Sequence, residues 1–158
     1  MVNNDVLRSL RYMLDLSNPQ MADIFSLGEA QVGQSEITAF LKKEDEEGYA
    51  PCSDEAMARF LDGLVYSRRG KDESRPAHPF KPPMTNNLVL KKLRVAFELK
   101  DDDMHAIMQS VECPVSKPEL SALFRKPGHS NYRACGDQFL RNFLKGLTQR
   151  VRGQHPWG

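Results

Sequence analysis

The chain has 158 residues, 40% hydrophobic and 27% charged, a composition ordinary for a soluble globular protein with room for one domain or two small ones. No apolar run approaches the ~18 residues of a membrane span, and the N-terminal MVNNDVLRSL begins a helical pattern in place of a signal peptide's basic stretch and apolar core. Three cysteines, an odd number without CxxC spacing, suit free thiols in a reducing compartment, so the expected location is the cytoplasm.

Four helices are predicted in the first half. The first runs from about Asn4 to Leu16, with Val6, Leu7, Leu10 and Leu14 at helical spacing and Asn3 or Asn4 as its N-cap. The second opens at Asn18, has Pro19 at its start, and carries a Met21, Ile24, Phe25 stripe. The third keeps Glu36 behind Gly33 and presents Ile37, Phe40 and Leu41. A polar stretch, KKEDEEGYAPCS, precedes a fourth helix that starts after Ser53 and lines up Met57, Phe60, Leu61 and Leu64. It ends on Arg68-Arg69-Gly70, where cations suit the helix C-terminus and glycine a left-handed stop. Residues 71–83, rich in proline and charge, read as an extended linker, with Phe80 placed to pack where the linker ends.

The second half repeats the first. Residues 84–153 align on 1–70 without a gap at an offset of 83, and 24 of the 70 pairs are identical. Helix one returns as Val89, Leu90, Leu93 and Phe97, with Asn86 or Asn87 as its cap. Helix two returns as Met104, Ile107 and Met108, capped by Asp101, with Asp102 and Asp103 in its first turn. Helix three returns as Leu120, Leu123 and Phe124 behind a capping box, Ser116 to Glu119. After RKPGHSNYRACG, helix four follows Gly136 with Leu140, Phe143, Leu144 and Leu147 and closes on Arg150, Arg152 and Gly153. Nothing alternates at period two for long enough to argue a strand. A lone 70-residue unit is marginal. The expected fold is therefore all-α: two tandem four-helix repeats, related by a pseudo-two-fold and packed on each other. The expected divisions are 1–70, a linker at 71–83, 84–153, and a tail at 154–158, either frayed or pinned by Trp157.

Charge separates the copies. Residues 1–70 carry 7 Lys and Arg against 12 Asp and Glu, and residues 84–153 carry 12 against 7. Opposed halves would dock electrostatically, or the basic half would face a polyanion; drift of duplicated surfaces is the bland alternative.

Helices two and three loosely match a helix-turn-helix, in which the second helix reads the groove. In the basic copy that face is Lys117, Ser121, Arg125 and Lys126, side chains suited to phosphate and guanine edges. In the acidic copy it is Gln34, Ser35, Thr38, Lys42 and Lys43, beside a repelling run from Glu44 to Glu47. The connection LGEAQVGQSE is longer than the ~3–4-residue turn of the standard motif. Tyr49 and Tyr132 are expected to anchor the polar loop, and Arg11 and Arg94 to pair with carboxylates such as Asp54 and Asp137. Cys52 and Cys135 read as buried small side chains without a partner base. His78, His105, His129 and His155 lack ligand spacing, so no metal is expected; no cofactor-binding or catalytic motif is present either.

The paired NNDVLxxLR and NNLVLxxLR starts, the KKED stretch and the duplicated length resemble the uncharacterised bacterial YehS-like family, built from two copies of a domain of unknown function. The strongest matches are MVNNDVLRSLRYMLDLS, ITAFLKKEDEEGY and FLDGLVYSRRG. The resemblance implies a bacterial cytoplasmic protein of this architecture and brings no activity or site residues. The leading functional reading is a non-enzymatic binding or adaptor module that contacts nucleic acid through its basic second copy. One alternative is a protein-interaction module using an apolar groove between the copies. Another is an enzyme whose site gathers Tyr49, Tyr132, Cys52, Cys135, His129 and Arg11.

Overall fold

The computed structural model describes residues 1–71, 74 and 80–153. His78, His155, Trp157 and most of the linker lie outside them. Among the described residues there are eight α-helices and no strand. The chain divides into two compact units, Met1–Met84 and Thr85–Gly158. The first holds α1 (Asn3–Leu14), α2 (Asn18–Leu27), α3 (Gln34–Leu41) and α4 (Asp54–Arg69). The second holds α5 (Asn86–Ala96), α6 (Asp101–Ser110), α7 (Lys117–Leu123) and α8 (Asp137–Arg152). No described helix is long and apolar enough to cross a membrane.

The helix starts follow local chemistry, with two corrections. Val2, not an asparagine, is the extended residue ahead of α1, and the Asp5 carboxylate accepts its N–H at 3.0 Å. Ser17 caps α2, while Lys100 precedes α6, so Asp101 is the first helical residue instead of the cap. Asp103 accepts the Lys100 N–H at 2.8 Å, and Asp101 and Asp102 simply load the dipole's positive end. The Ser116–Glu119 box forms as expected, as does its half-version at Gly33–Glu36.

Each unit buries one stripe from each helix. In the first, α1 contributes Val6, Leu7, Leu10 and Met13. Leu14 falls on the last residue of the helix, before Asp15 turns left-handed at φ 54°, and is half-buried. Its counterpart Phe97 is half-buried as well, and Ala96 takes the core place. Phe25 of α2 meets Phe60 of α4 at 4.8 Å between ring centroids and Phe40 of α3 at 6.3 Å. The second unit fills the same space with Met108, Phe143 and Leu123. Each fully buried side chain of this size contributes about 1.5–3 kcal/mol.

In the first unit α2 and α4 touch backbone to backbone. A Cβ on Gly63 would fall 1.8 Å from the Ile24 carbonyl oxygen, and one on Gly28 would fall 1.8 Å from that of Arg59. In the second unit the glycine pair is broken, because Val111 stands where Gly28 does. A Cβ on Gly146 would sit 2.7 Å from the Ile107 carbonyl oxygen.

The asparagines read as caps are struts. Asn4 is 1% exposed; its amide donates to the Phe40 and Ala50 carbonyls at 2.9 Å and accepts the Cys52 N–H at 3.0 Å. Asn3 donates to the Cys52 carbonyl and to Asp54. Asn87 and Asn86 repeat every one of these bonds, to Leu123, Arg133, Cys135 and Asp137. These struts fasten the loop ahead of the last helix, in which Tyr49 and Tyr132 are half-buried. The arginines are placed otherwise than expected. Asp54 and Asp137 accept from Asn3 and Asn86, while Arg94 binds Asp101 at 2.6 Å and lies over the Phe124 ring; Arg11 is exposed.

The helix ends differ. Gly70 takes a left-handed φ of 90° and donates to Tyr66, as a glycine stop should. Gly153 stays right-handed at −69°, and Arg150 reaches sideways to Asp103 at 2.5 Å, tying α8 to α6.

Candidate nucleic-acid interface

The short helix α7 organises the basic surface of the second unit. Leu120 and Leu123 turn inward, which leaves Lys117 and Ser121 exposed on the opposite side. The helix stops at Leu123, so Arg125 and Lys126 lie beyond its end, after the turn at Phe124. Sequence periodicity alone had carried all four onto one helix. The downstream loop then folds back. Arg133 N–H donates to the Ala122 carbonyl at 3.1 Å, and Asn87 clamps both the Leu123 and Arg133 carbonyls.

The result is an open groove of about 670 Å³ lined by Lys117, Glu119, Ser121, Arg125, Asn131 and Arg133, together with Pro118 and Ala122. Three of the four residues expected from the sequence meet there; exposed Lys126 lies outside the lining. Among the described residues, Lys117, Arg125 and Lys126 form no ion pair. Arg133 pairs with Glu119 at 3.1 Å. The Ser116 hydroxyl, then the Ser116 N–H and Arg133, holds the Glu119 carboxyl below its ordinary range, so it is an anion at neutral pH. Asn131 and Arg133 escaped sequence reading because they reach the groove by loop return, which leaves no periodic trace. The surplus of Arg in the second polar stretch was the available signal.

The first unit does not repeat this surface. At the positions of Asn131 and Arg133 it has Gly48 and Ala50. Lys42, the counterpart of Arg125, donates to the Glu47 carbonyl at 2.8 Å, and Thr38 is taken up by Asn18 and Gln34. Glu44 to Glu47 stand exposed beside them. The connections α2–α3 and α6–α7 each span six residues, 28–33 and 111–116, which departs from the tight turn of a helix-turn-helix.

The cysteines and histidines make local contacts. Cys52 and Cys135 are buried; burial first, then the neighbouring aspartate, pushes their thiols up to about 12 and about 11. A thiol so poised is protonated at neutral pH and a poor nucleophile. His129 accepts the Asn131 N–H at 3.0 Å within its own turn, and His105 Nδ1 lies 2.9 Å from the Val115 carbonyl. Among the described residues no three His, Cys, Asp or Glu side chains gather to hold a metal ion.

Comparison with known proteins agrees with the internal repeat. No solved structure matches the chain. The chain is 49% identical over 150 residues to the Escherichia coli K12 protein named "Uncharacterized protein YehS", covering 95% of this chain and 96% of that one. The family described as "Protein of unknown function (DUF1456)" matches twice, over residues 3–70 and 86–153, the same two stretches that carry the paired asparagine struts, and the chain belongs to that family.

Proposed function

We propose that the protein is a non-enzymatic binding module whose second copy contacts nucleic acid through the groove beside α7. The observation that carries this reading is the convergence of Lys117, Arg125 and Arg133 with Ser121 and Asn131 on one open groove, absent from the acidic copy. Cations and neutral donors in that mixture suit phosphate oxygens and sugar hydroxyls. Exposed Lys126, next in the chain to Arg125, adds a further cation. A helix of seven residues ending before Arg125 is a poor major-groove reader, so the contact is to the backbone and carries little sequence preference. The work falls to the basic copy, with the first copy as its paired scaffold.

Binding of mixed-sequence DNA and RNA, followed by fluorescence anisotropy across a salt series, tests the reading. Affinity should fall steeply with salt, with about 0.7–0.9 in slope for each phosphate neutralised. The double reversal Arg125→Glu with Lys126→Glu should weaken binding about tenfold or more at ~50 mM salt. No binding by the unaltered protein at ~50 mM salt sinks the proposal.

A further inference from the structure

We infer that Glu119 is an internal competitor in the groove: its carboxylate holds Arg133 until a phosphate oxygen of a bound strand replaces it. The inference rests on the nucleic-acid reading and adds the residue that limits affinity. Glu119 divides its two oxygens between two tasks. Oε1 faces the Ser116 N–H at 3.4 Å and completes the start of α7, while Oε2 meets Arg133 Nη1 at 3.1 Å across the groove. Only the first task is shared by both copies, because Glu36 of the first copy also caps its helix, from 3.3 Å, with Ala50 at the position of Arg133. The second task belongs to the basic copy alone.

The exposure of the pair makes it exchangeable. The Arg133 and Glu119 side chains are 60% and 49% exposed, so water screens their attraction. A backbone phosphate offers the guanidinium two parallel acceptor oxygens, whereas Glu119 offers it Oε2 alone while Oε1 faces the Ser116 N–H. In the unliganded groove Glu119 offsets one of three cations and suppresses indiscriminate anion binding. A strand that already engages Lys117 and Arg125 brings its next phosphate to Arg133 at high local concentration, and the carboxylate gives way.

The test is a double-mutant cycle on the full chain, read by anisotropy with labelled mixed-sequence single-stranded RNA. Glu119→Gln keeps an oxygen for the cap and removes the competing charge. It should bind about tenfold tighter than the unaltered protein with the salt slope nearly unchanged, because Arg133 meets its phosphate in both complexes. Arg133→Gln should bind weaker than the unaltered protein, since it leaves the Glu119 charge uncompensated, and the double variant should lie between the two single ones. Circular dichroism melts confirm that each variant is folded. If the unaltered protein binds and Glu119→Gln binds equally or more weakly, the inference is overturned while the nucleic-acid reading stands. Equal binding by Arg133→Gln and the unaltered protein also overturns it. If neither the unaltered protein nor Glu119→Gln binds, both fall together.

Discussion

The contact of α2 with α4 in the first unit and that of α6 with α8 in the second use the same helices in the same order, yet at different intimacy. The first is glycine against backbone on both sides; the second has a valine on one side and more clearance at its single glycine. Gly63 and Gly146 are identical in an alignment of the copies and face different demands. Identity between repeats therefore reports shared ancestry, while the tolerance of each position is set by how far its neighbour has moved away. The same lesson applies to the loop after the third helix, which closes on itself through Lys42 in one copy and opens a cationic groove in the other.

Substitutions in matched pairs break or sharpen that comparison. The largest effect is expected from Gly63→Ala. The new methyl cannot fit 1.8 Å from a carbonyl oxygen without parting two helices, and the cost, about 3 kcal/mol or more, exceeds the ~1 kcal/mol that alanine gains in a helix. Gly146→Ala, at 2.7 Å, should cost about 1–2 kcal/mol in the same urea titration. Equal losses would show the two contacts to be equivalent.

Next come the struts. Asn4→Ala strips partners from two carbonyls and one N–H around a side chain that is 1% exposed, and should destabilise by about 2–3 kcal/mol. Asn87→Ala removes the same bonds from a half-buried position where water can replace them, and should cost about 1–2 kcal/mol by thermal melting.

The smallest effect is confined to acid. The Asp103 carboxyl is lowered from its usual 3.8, chiefly by the Lys100 N–H and then, against a small burial cost, by Arg150. Its contribution is complete above pH 3.8 and is lost as the pH falls through the lower folded value. The equivalent residue in the first copy is Gln20, a neutral amide that accepts the Ser17 N–H at 2.8 Å and does not titrate. Asp103→Gln should therefore flatten the acid side of the stability profile and lower neutral-pH stability only by the small charge-dependent share that the unaltered protein loses in acid. An unaltered acid limb would remove Asp103 from the account.

The helical architecture was legible because periodicity is dictated by burial, and Val6, Leu7, Leu10, Phe25, Ile37 and Phe60 all fell on predicted stripes and are buried. Caps were legible where a side chain serves its own helix, as Ser53 and Ser116 do. The asparagines were misread because an Asn near a helix start serves equally as cap or as donor to a distant loop, and only tertiary structure decides. Bonds from Asn4 to residues 40, 50 and 52 span a separation that no local pattern encodes. In the groove, Lys117 and Ser121 were visible through helical spacing, whereas Arg133 and Asn131 arrive through a loop held by the matching strut, Asn87.

Every donor and acceptor of the strut network lies between residues 3 and 54 in one copy and between 86 and 137 in the other. A tandem duplication of the coding segment copies such a circuit whole, with no donor left waiting for a residue outside the copied stretch. The newly made copy inherits its internal wiring complete on the day it arises. Its outward-facing side chains are then the part left open to selection.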